Sequence, residues 1–325
     1  MLFSLFIYAL FAFLLFYGIR FQKNDSEPVY FQSFNALRGL FALEIVVGHV
    51  IRYESTLLYP LGKFMIISVA FFFFVSGWGL CRSFHTKDRY LEHFLLPKCG
   101  YLLALSLIAY LIRILVFLCS GRLHFDRNIF QDYLSCTNWY IWELLFFYLL
   151  FYLIYKYVKK YRILLIALIT FSAITAVFFI GMPQGYYSSA LAFPAGLFFY
   201  EYFSAVTGFF QKPAGKILVF LTSLLGLSSL LLGAGSLLGM VYLRNLMCLS
   251  ALCILFYVLT YFEVNNLFLK KLGKYSTEIY LYQFIFLELF SAQSDWRIRM
   301  LLVCFLTLLT AVILHPIHVL IRKTF

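Results

Sequence analysis

Asn35-Ala36-Leu37-Arg38-Gly39-Leu40-Phe41-Ala42-Leu43-Glu44-Ile45-Val46-Val47-Gly48-His49-Val50-Ile51-Arg52-Tyr53 is the stretch on which the fold turns. It has the length of a bilayer crossing, which takes about 20 apolar residues. Outward from it the pattern repeats. Ten further apolar runs lie near 2–20, 64–81, 97–119, 139–156, 163–181, 186–203, 216–238, 242–262, 275–291 and 299–320. The runs are continuous rather than alternating, which predicts helices and excludes a barrel. The whole chain is 63% hydrophobic and 12% charged. A soluble domain carries about 25% charged residues, so this one has too few to cover a water-facing surface. The expected fold is an all-α polytopic bundle of about 10–11 spans in contact with membrane lipid.

Charge sets the orientation. Arg20, Lys23, Arg82, Lys87, Arg89, Lys98, Lys156, Lys159, Lys160, Arg162, Lys212, Lys216, Lys270, Lys271, Lys274, Arg322 and Lys323 fall on one set of alternating connections, 17 in all. The other set holds only Arg52, Lys63, Arg122, Arg127, Arg244, Arg297 and Arg299, 7 in all. The positive-inside rule places the larger set in the cytoplasm, the N-terminus outside and the C-terminus inside. Topology thus accounts for the net charge of +12, and no nucleic-acid partner is implied. The first run lacks the basic start and small-residue cleavage site of a signal peptide, so it reads as a helix. Pro28, Pro60, Pro97, Pro183 and Pro213 fall at proposed boundaries, while Pro194 predicts a kink within a span.

Ionisable residues at membrane depth are costly and mark candidate functional positions. Arg38 and His49 are eleven residues apart, about three helical turns, and share a face roughly 16 Å apart along the axis. That places Arg38 toward the cytoplasmic mouth and His49 in the outer half. A guanidinium can fork onto phosphate, and a neutral imidazole can take a proton from a hydroxyl. Arg38 could equally snorkel to lipid headgroups and His49 could be a satisfied core histidine. Glu44 is turned away from His49 on the same helix.

Elsewhere, Trp139, Tyr140 and Glu143 open a span. The two aromatics suit either a sugar face or an interfacial belt. Ser276, Glu278 and Tyr280 open another, where Ser276 could contact a substrate or cap the helix. His315 and His318 flank Pro316 and read as a helix-end feature. The seven cysteines are scattered, with no Cys-x-x-Cys pair and no His-Glu-x-x-His, so neither a disulfide framework nor a metal is expected.

The anchors along the chain resemble those of the membrane acyltransferase-3 family. The segment Phe34-Asn35-Ala36-Leu37-Arg38-Gly39-Leu40 followed by His49 is similar to the family's basic residue, ten residues, histidine. Phe71-Phe72-Phe73-Phe74-Val75-Ser76-Gly77-Trp78 looks like its Phe-Phe-x-x-Ser-Gly-Phe. Leu272-Gly273-Lys274-Tyr275-Ser276-Thr277-Glu278-Ile279-Tyr280-Leu281 looks like its late Leu-Gly-Lys-x-Ser-x-x-Ile-Tyr-Leu helix. Trp139-Tyr140 opening a span is also similar. The chain departs from the family in lacking the Arg-x-x-Arg before the fourth span, in carrying Gln283 where many members have histidine, and in adding the helix 2–20.

The resemblance implies transfer of an acyl group, most often acetyl, from cytoplasmic acyl-CoA to a sugar hydroxyl. The acceptor would be a surface polysaccharide, its lipid-linked precursor or another envelope glycan, at the bacterial cytoplasmic membrane. On this reading 1–33 is an added helix and linker, and 34–325 is the acyltransferase-like domain. His49 is the expected catalytic imidazole, with Glu143 and Glu278 as candidates to orient it. Arg38, Arg82, Arg89 and Lys98 are expected on the CoA phosphates, and Trp139, Tyr140, Ser276 and Tyr280 on the acceptor side. No metal is expected, and the sequence carries no signal for oligomeric state. A transporter or flippase of lipid-linked sugars is the competing reading, since it too needs intramembrane charges; it predicts internal repeats, and none is visible. A non-catalytic scaffold predicts no alignment of Arg38 with His49.

Overall fold

A computed structural model describes residues 1–324 except 22–25, 53, 55–56, 124–127, 137–138 and 232–236. The order of elements is α1 (Leu2–Phe16), β1 (Ile19–Phe21), α2 (Glu27–Ile51), α3 (Tyr59–Thr86), a π turn (Leu96–Gly100) running into α4 (Tyr101–Cys119), α5 (Ile129–Cys136), α6 (Trp139–Tyr157) and α7 (Arg162–Phe179). There follow α8 (Gly185–Ser188), α9 (Ala192–Glu201), α10 (Phe203–Gln211), α11 (Pro213–Leu231), a second π turn (Leu238–Leu243) into α12 (Arg244–Leu259), β2 (Phe262–Val264), α13 (Leu267–Lys274), α14 (Ser276–Leu289) and α15 (Trp296–Thr324). Among the described residues, seven helices are long and apolar enough to cross a membrane. The chain is a multi-pass helical membrane protein.

Helices in lipid gain nothing from hiding apolar surface, so close backbone approach has to hold them together. Two glycine seams provide it. Gly77 of α3 faces Gly196 of α9, and a Cβ on either would run into the other helix's backbone, at Phe193 O and Phe74 O respectively. Gly39 of α2 faces Gly273 of α13, where added Cβ atoms would strike Leu269 O and Asn35 O. Around these seams lies an aromatic core. Trp78 is fully buried, edge-on to Phe34 at 5.2 Å and to Tyr200 at 5.4 Å. Such pairs contribute about 0.5–1.5 kcal/mol each beyond burial. The Trp78 indole N–H donates to Glu27 Oε1 at 3.2 Å, so the one polar atom of this ring is satisfied.

Several expected spans are drawn differently. The first helix stops at Phe16, and residues 19–21 form a strand antiparallel to 262–264, with Arg20 opposite Glu263. Local hydropathy cannot show a strand whose partner is more than two hundred residues away. The span expected at 186–203 is two short helices, α8 and α9, and Pro194 lies in the first turn of α9, where its missing N–H does no harm. The break precedes it, so there is no kink within a continuous helix. Pro316 is the reverse case: α15 runs through it to Thr324. The six described cysteines are all free.

Candidate active site

A cavity of about 1140 Å³ opens where α2, α3, α4, α6, α14 and α15 meet. Its wall is strongly basic. Arg38, Arg82, Lys87, Arg89, Lys98, Lys270, Lys274 and Arg322 all line it, against the two carboxylates Asp88 and Glu278. All of these cations except Arg38 belong to the connection set that the charge rule assigns to the cytoplasm. Four of them, Arg38, Arg82, Arg89 and Lys98, are the ones expected together from the sequence. Lys87, from the same loop as Arg82 and Arg89, and Lys270, Lys274 and Arg322 were not among those four; the last three are remote in the chain and become neighbours only through the packing of α13 and α15.

Arg38 projects from the middle of α2, held there because Gly39 lets α13 lie against the helix. Its Nε is buried and has no hydrogen-bond partner, and the residue lines the cavity. Arg82 pairs with Glu27 at 2.9 Å and lies over the face of Phe31 at 4.5 Å. Arg89 is an exposed rim residue at φ +48°, with Glu92 3.9 Å away. Lys98 comes from the π turn that leads into α4.

The inner wall carries Tyr140, Tyr148, Ser276 and Tyr280. Tyr140 and Tyr280 meet ring to ring at 4.8 Å. Ser276 is the first residue of α14 but makes no capping bond; its hydroxyl is buried at the wall without a partner. Trp139 is not on the wall. It packs where a Cβ on Gly185 would strike its ring, and lies 5.9 Å from Tyr186. Glu143 is buried, also off the wall, and neither of its oxygens has a hydrogen-bond partner.

The two histidines that read as a helix end converge instead on Glu278. His315 Nδ1 lies 2.6 Å from Glu278 Oε1, and His318 Nδ1 lies 3.3 Å from the same oxygen. His318 is buried, and its Nε2 shares a hydrogen bond of 2.6 Å with the Tyr282 hydroxyl. His315 is half-exposed on the cavity wall. A carboxylate thus holds one face of an imidazole whose other nitrogen is left for a ligand. The i, i+3 spacing of these histidines was the sequence signal that could have suggested a shared face.

His49 is placed elsewhere. It sits in the last turn of α2, half-buried, with its ring edge-on to Phe284 at 5.0 Å, and it does not line the cavity. Tyr280 and Phe284, whose rings are 6.0 Å apart, stand between the wall and this ring. Glu278 is engaged with His315 and His318, and Glu143 holds no partner, so neither carboxylate orients His49 in this arrangement.

A family model described as an acyltransferase domain matches residues 31–316, which takes in every wall residue named above except His318 and Arg322. No curated protein and no solved structure matches the chain.

Proposed function

The chain belongs to the acyltransferase-3 family, and from this premise we propose that it is an acyl-CoA-dependent O-acyltransferase whose donor enters the basic cavity. The family match favours acyl transfer over transport of lipid-linked sugars. The observation that carries the donor assignment is the set of eight cations lining one cavity, among them Arg38 with its unpaired Nε. Coenzyme A presents a pyrophosphate and a 3′-phosphate on a long, nearly neutral arm. The rim cations suit the phosphates through charge-assisted bonds. The polar but uncharged wall of Tyr140, Tyr148, Ser276 and Tyr280 suits the arm and the thioester. The acceptor we propose is a hydroxyl of an envelope glycan or its lipid-linked precursor, and the acyl group is acetyl, at a bacterial cytoplasmic membrane.

In the chemical step a hydroxyl proton passes to an imidazole and the oxygen attacks the thioester carbonyl. The carbon–sulfur bond breaks, and the departing CoA thiolate takes a proton back. Two imidazoles compete for the first role. The family resemblance points to His49, which would act from beyond the Tyr280–Phe284 layer, as a base or as a covalent carrier of the acyl group. The cavity geometry favours a second reading, in which His315, held by Glu278, is the base. That reading needs the acceptor at the basic end, as a lipid-linked precursor on the inner leaflet would be.

The test uses purified protein in detergent. Labelled acetyl-CoA should bind, and dephospho-CoA should bind more weakly. Label should move to a glycan acceptor. Failure of any CoA species to bind to folded protein would remove the donor assignment.

A further inference from the structure

The inner ends of α3 and α9 bring a thiol, an imidazole and a carboxylate to one point. Cys81 Sγ lies 3.3 Å from Glu201 Oε2, and His85 Nε2 lies 2.8 Å from the same oxygen. All three donor atoms fall within 4.8 Å of one another. Cys81 and His85 are four residues apart, so one face of α3 presents both. Glu201 is the last residue of α9. The Gly77–Gly196 seam lies just outward of the cluster and fixes how closely the two helices approach. The donors are therefore carried on rigid backbone rather than on loops.

A hydrogen-bonded trio accounts for these distances without an ion: the thiol donates to the carboxylate, and the carboxylate pairs with the histidine. Three features carry the arrangement further. The donor set mixes sulfur, nitrogen and oxygen, the combination that suits zinc and not the oxygen-seeking calcium or magnesium. The spacing is close to what such an ion needs, since bonds of about 2.0–2.3 Å in a tetrahedron hold ligand atoms roughly 3.5 Å apart. His85 and Glu201 side chains are 43% and 34% exposed and can make the small outward shift, while Cys81 is fully buried and sets the anchor. Finally, the cluster has an open side: a second cavity of about 460 Å³, lined by Glu27, Tyr200 and Glu201, borders it.

We propose that Cys81, His85 and Glu201 bind a zinc-type divalent cation, leaving one position for water or a small ligand. On binding, a metal–sulfur bond forms and the thiol proton leaves to solvent, so a thiolate and a carboxylate balance the ion's two charges. The ion pins the inner end of α3 to α9. Arg82, the next residue after Cys81, lines the donor cavity and pairs with Glu27, which borders the second cavity. The metal therefore steadies one rim of the basic cavity without entering it.

The experiment uses the full chain, purified in mild detergent, stripped with chelator and titrated with cobalt(II) alone. One cobalt per chain is expected, with thiolate-to-cobalt charge-transfer absorption and the visible bands of a tetrahedral ion. Cys81→Ser, folded by circular dichroism, should lose the charge-transfer band, and Cys81→Ser combined with Glu201→Gln should bind no cobalt. Zinc should raise the wild-type melting temperature and leave that of the double variant unchanged. Wild-type protein that is folded yet takes up no cobalt would overturn the site. So would a charge-transfer band that survives in Cys81→Ser, since it would belong to another cysteine.

Discussion

His315 Nδ1 and Glu278 Oε1 meet at 2.6 Å across two helices, at the wall of the basic cavity. The contact fixes which ring nitrogen faces inward to the carboxylate, and so which one is left for chemistry. His318 and Tyr282 stand behind the pair and limit its movement.

This relationship gives the first prediction. In a CoA-dependent transfer assay, His315→Ala should keep CoA affinity and lose turnover by about a hundredfold or more. Glu278→Gln should show the same pattern with a smaller loss. His49→Ala measured alongside decides between the imidazoles. If His49→Ala carries the whole loss while His315→Ala runs at the wild-type rate, the base or acyl carrier is His49.

His318→Ala tests the backing of that pair. The Tyr282 hydroxyl would lose its buried partner while Glu278 Oε1 would keep His315, so the variant should be less stable by about 1–3 kcal/mol. A thermal or denaturant transition in detergent reads this, and an unchanged midpoint would show that the contact contributes little.

Arg38→Ala should weaken CoA binding, and raising the salt concentration should mimic part of the effect through the rim cations. Titration calorimetry on folded protein measures both. Equal affinity in the wild type and the variant would take Arg38 out of the donor site.

Gly196→Ala and Gly273→Ala each place a methyl group against the backbone of a neighbouring helix, not against a movable side chain. Overpacking of this kind costs about 1–3 kcal/mol. Both variants should melt lower than wild type. Gly208→Ala, where nothing lies within 4 Å of the added atom, should not.

Orientation is tested by Asp88→Cys in a background without native cysteines. Asp88 lies on the cavity rim and is exposed. Impermeant thiol reagents should reach it only from the cytoplasmic side. Labelling of intact cells from outside would invert the topology and move the donor entrance with it.

The class of fold and the basic character of one end were legible in the sequence, because span length and loop charge are local properties. Arg38 stood out for the same reason, as a guanidinium inside an apolar run, although snorkelling to the headgroups was an equal reading until the packing placed it on the cavity wall. The site's other half was hidden. His315 reaches Glu278 from 37 positions away, and Arg322 joins Lys98 only because α15 crosses behind α4. Cys81, His85 and Glu201 showed no motif, since the carboxylate arrives from another helix. The aligned face of Arg38 and His49 was readable from helical geometry, yet periodicity says nothing of what stands between two residues 16 Å apart, here roughly the rise of eleven residues. The Tyr280 and Phe284 rings occupy that interval.

Pro316 has no N–H to give, so the carbonyl of Val312 goes without its usual helical partner at the point between His315 and His318. That makes it the compliant joint of α15, and the stretch beyond it a lever about 12 Å long, from the rise of eight residues. A bend of about 10° there would swing the tip by roughly 2 Å, the scale of a side chain. Arg322 rides on that lever and His315 does not. His318, two residues past the joint, moves by only about 0.5 Å in the same bend, so the width of the entrance can change while the imidazole–carboxylate pair nearly keeps its register.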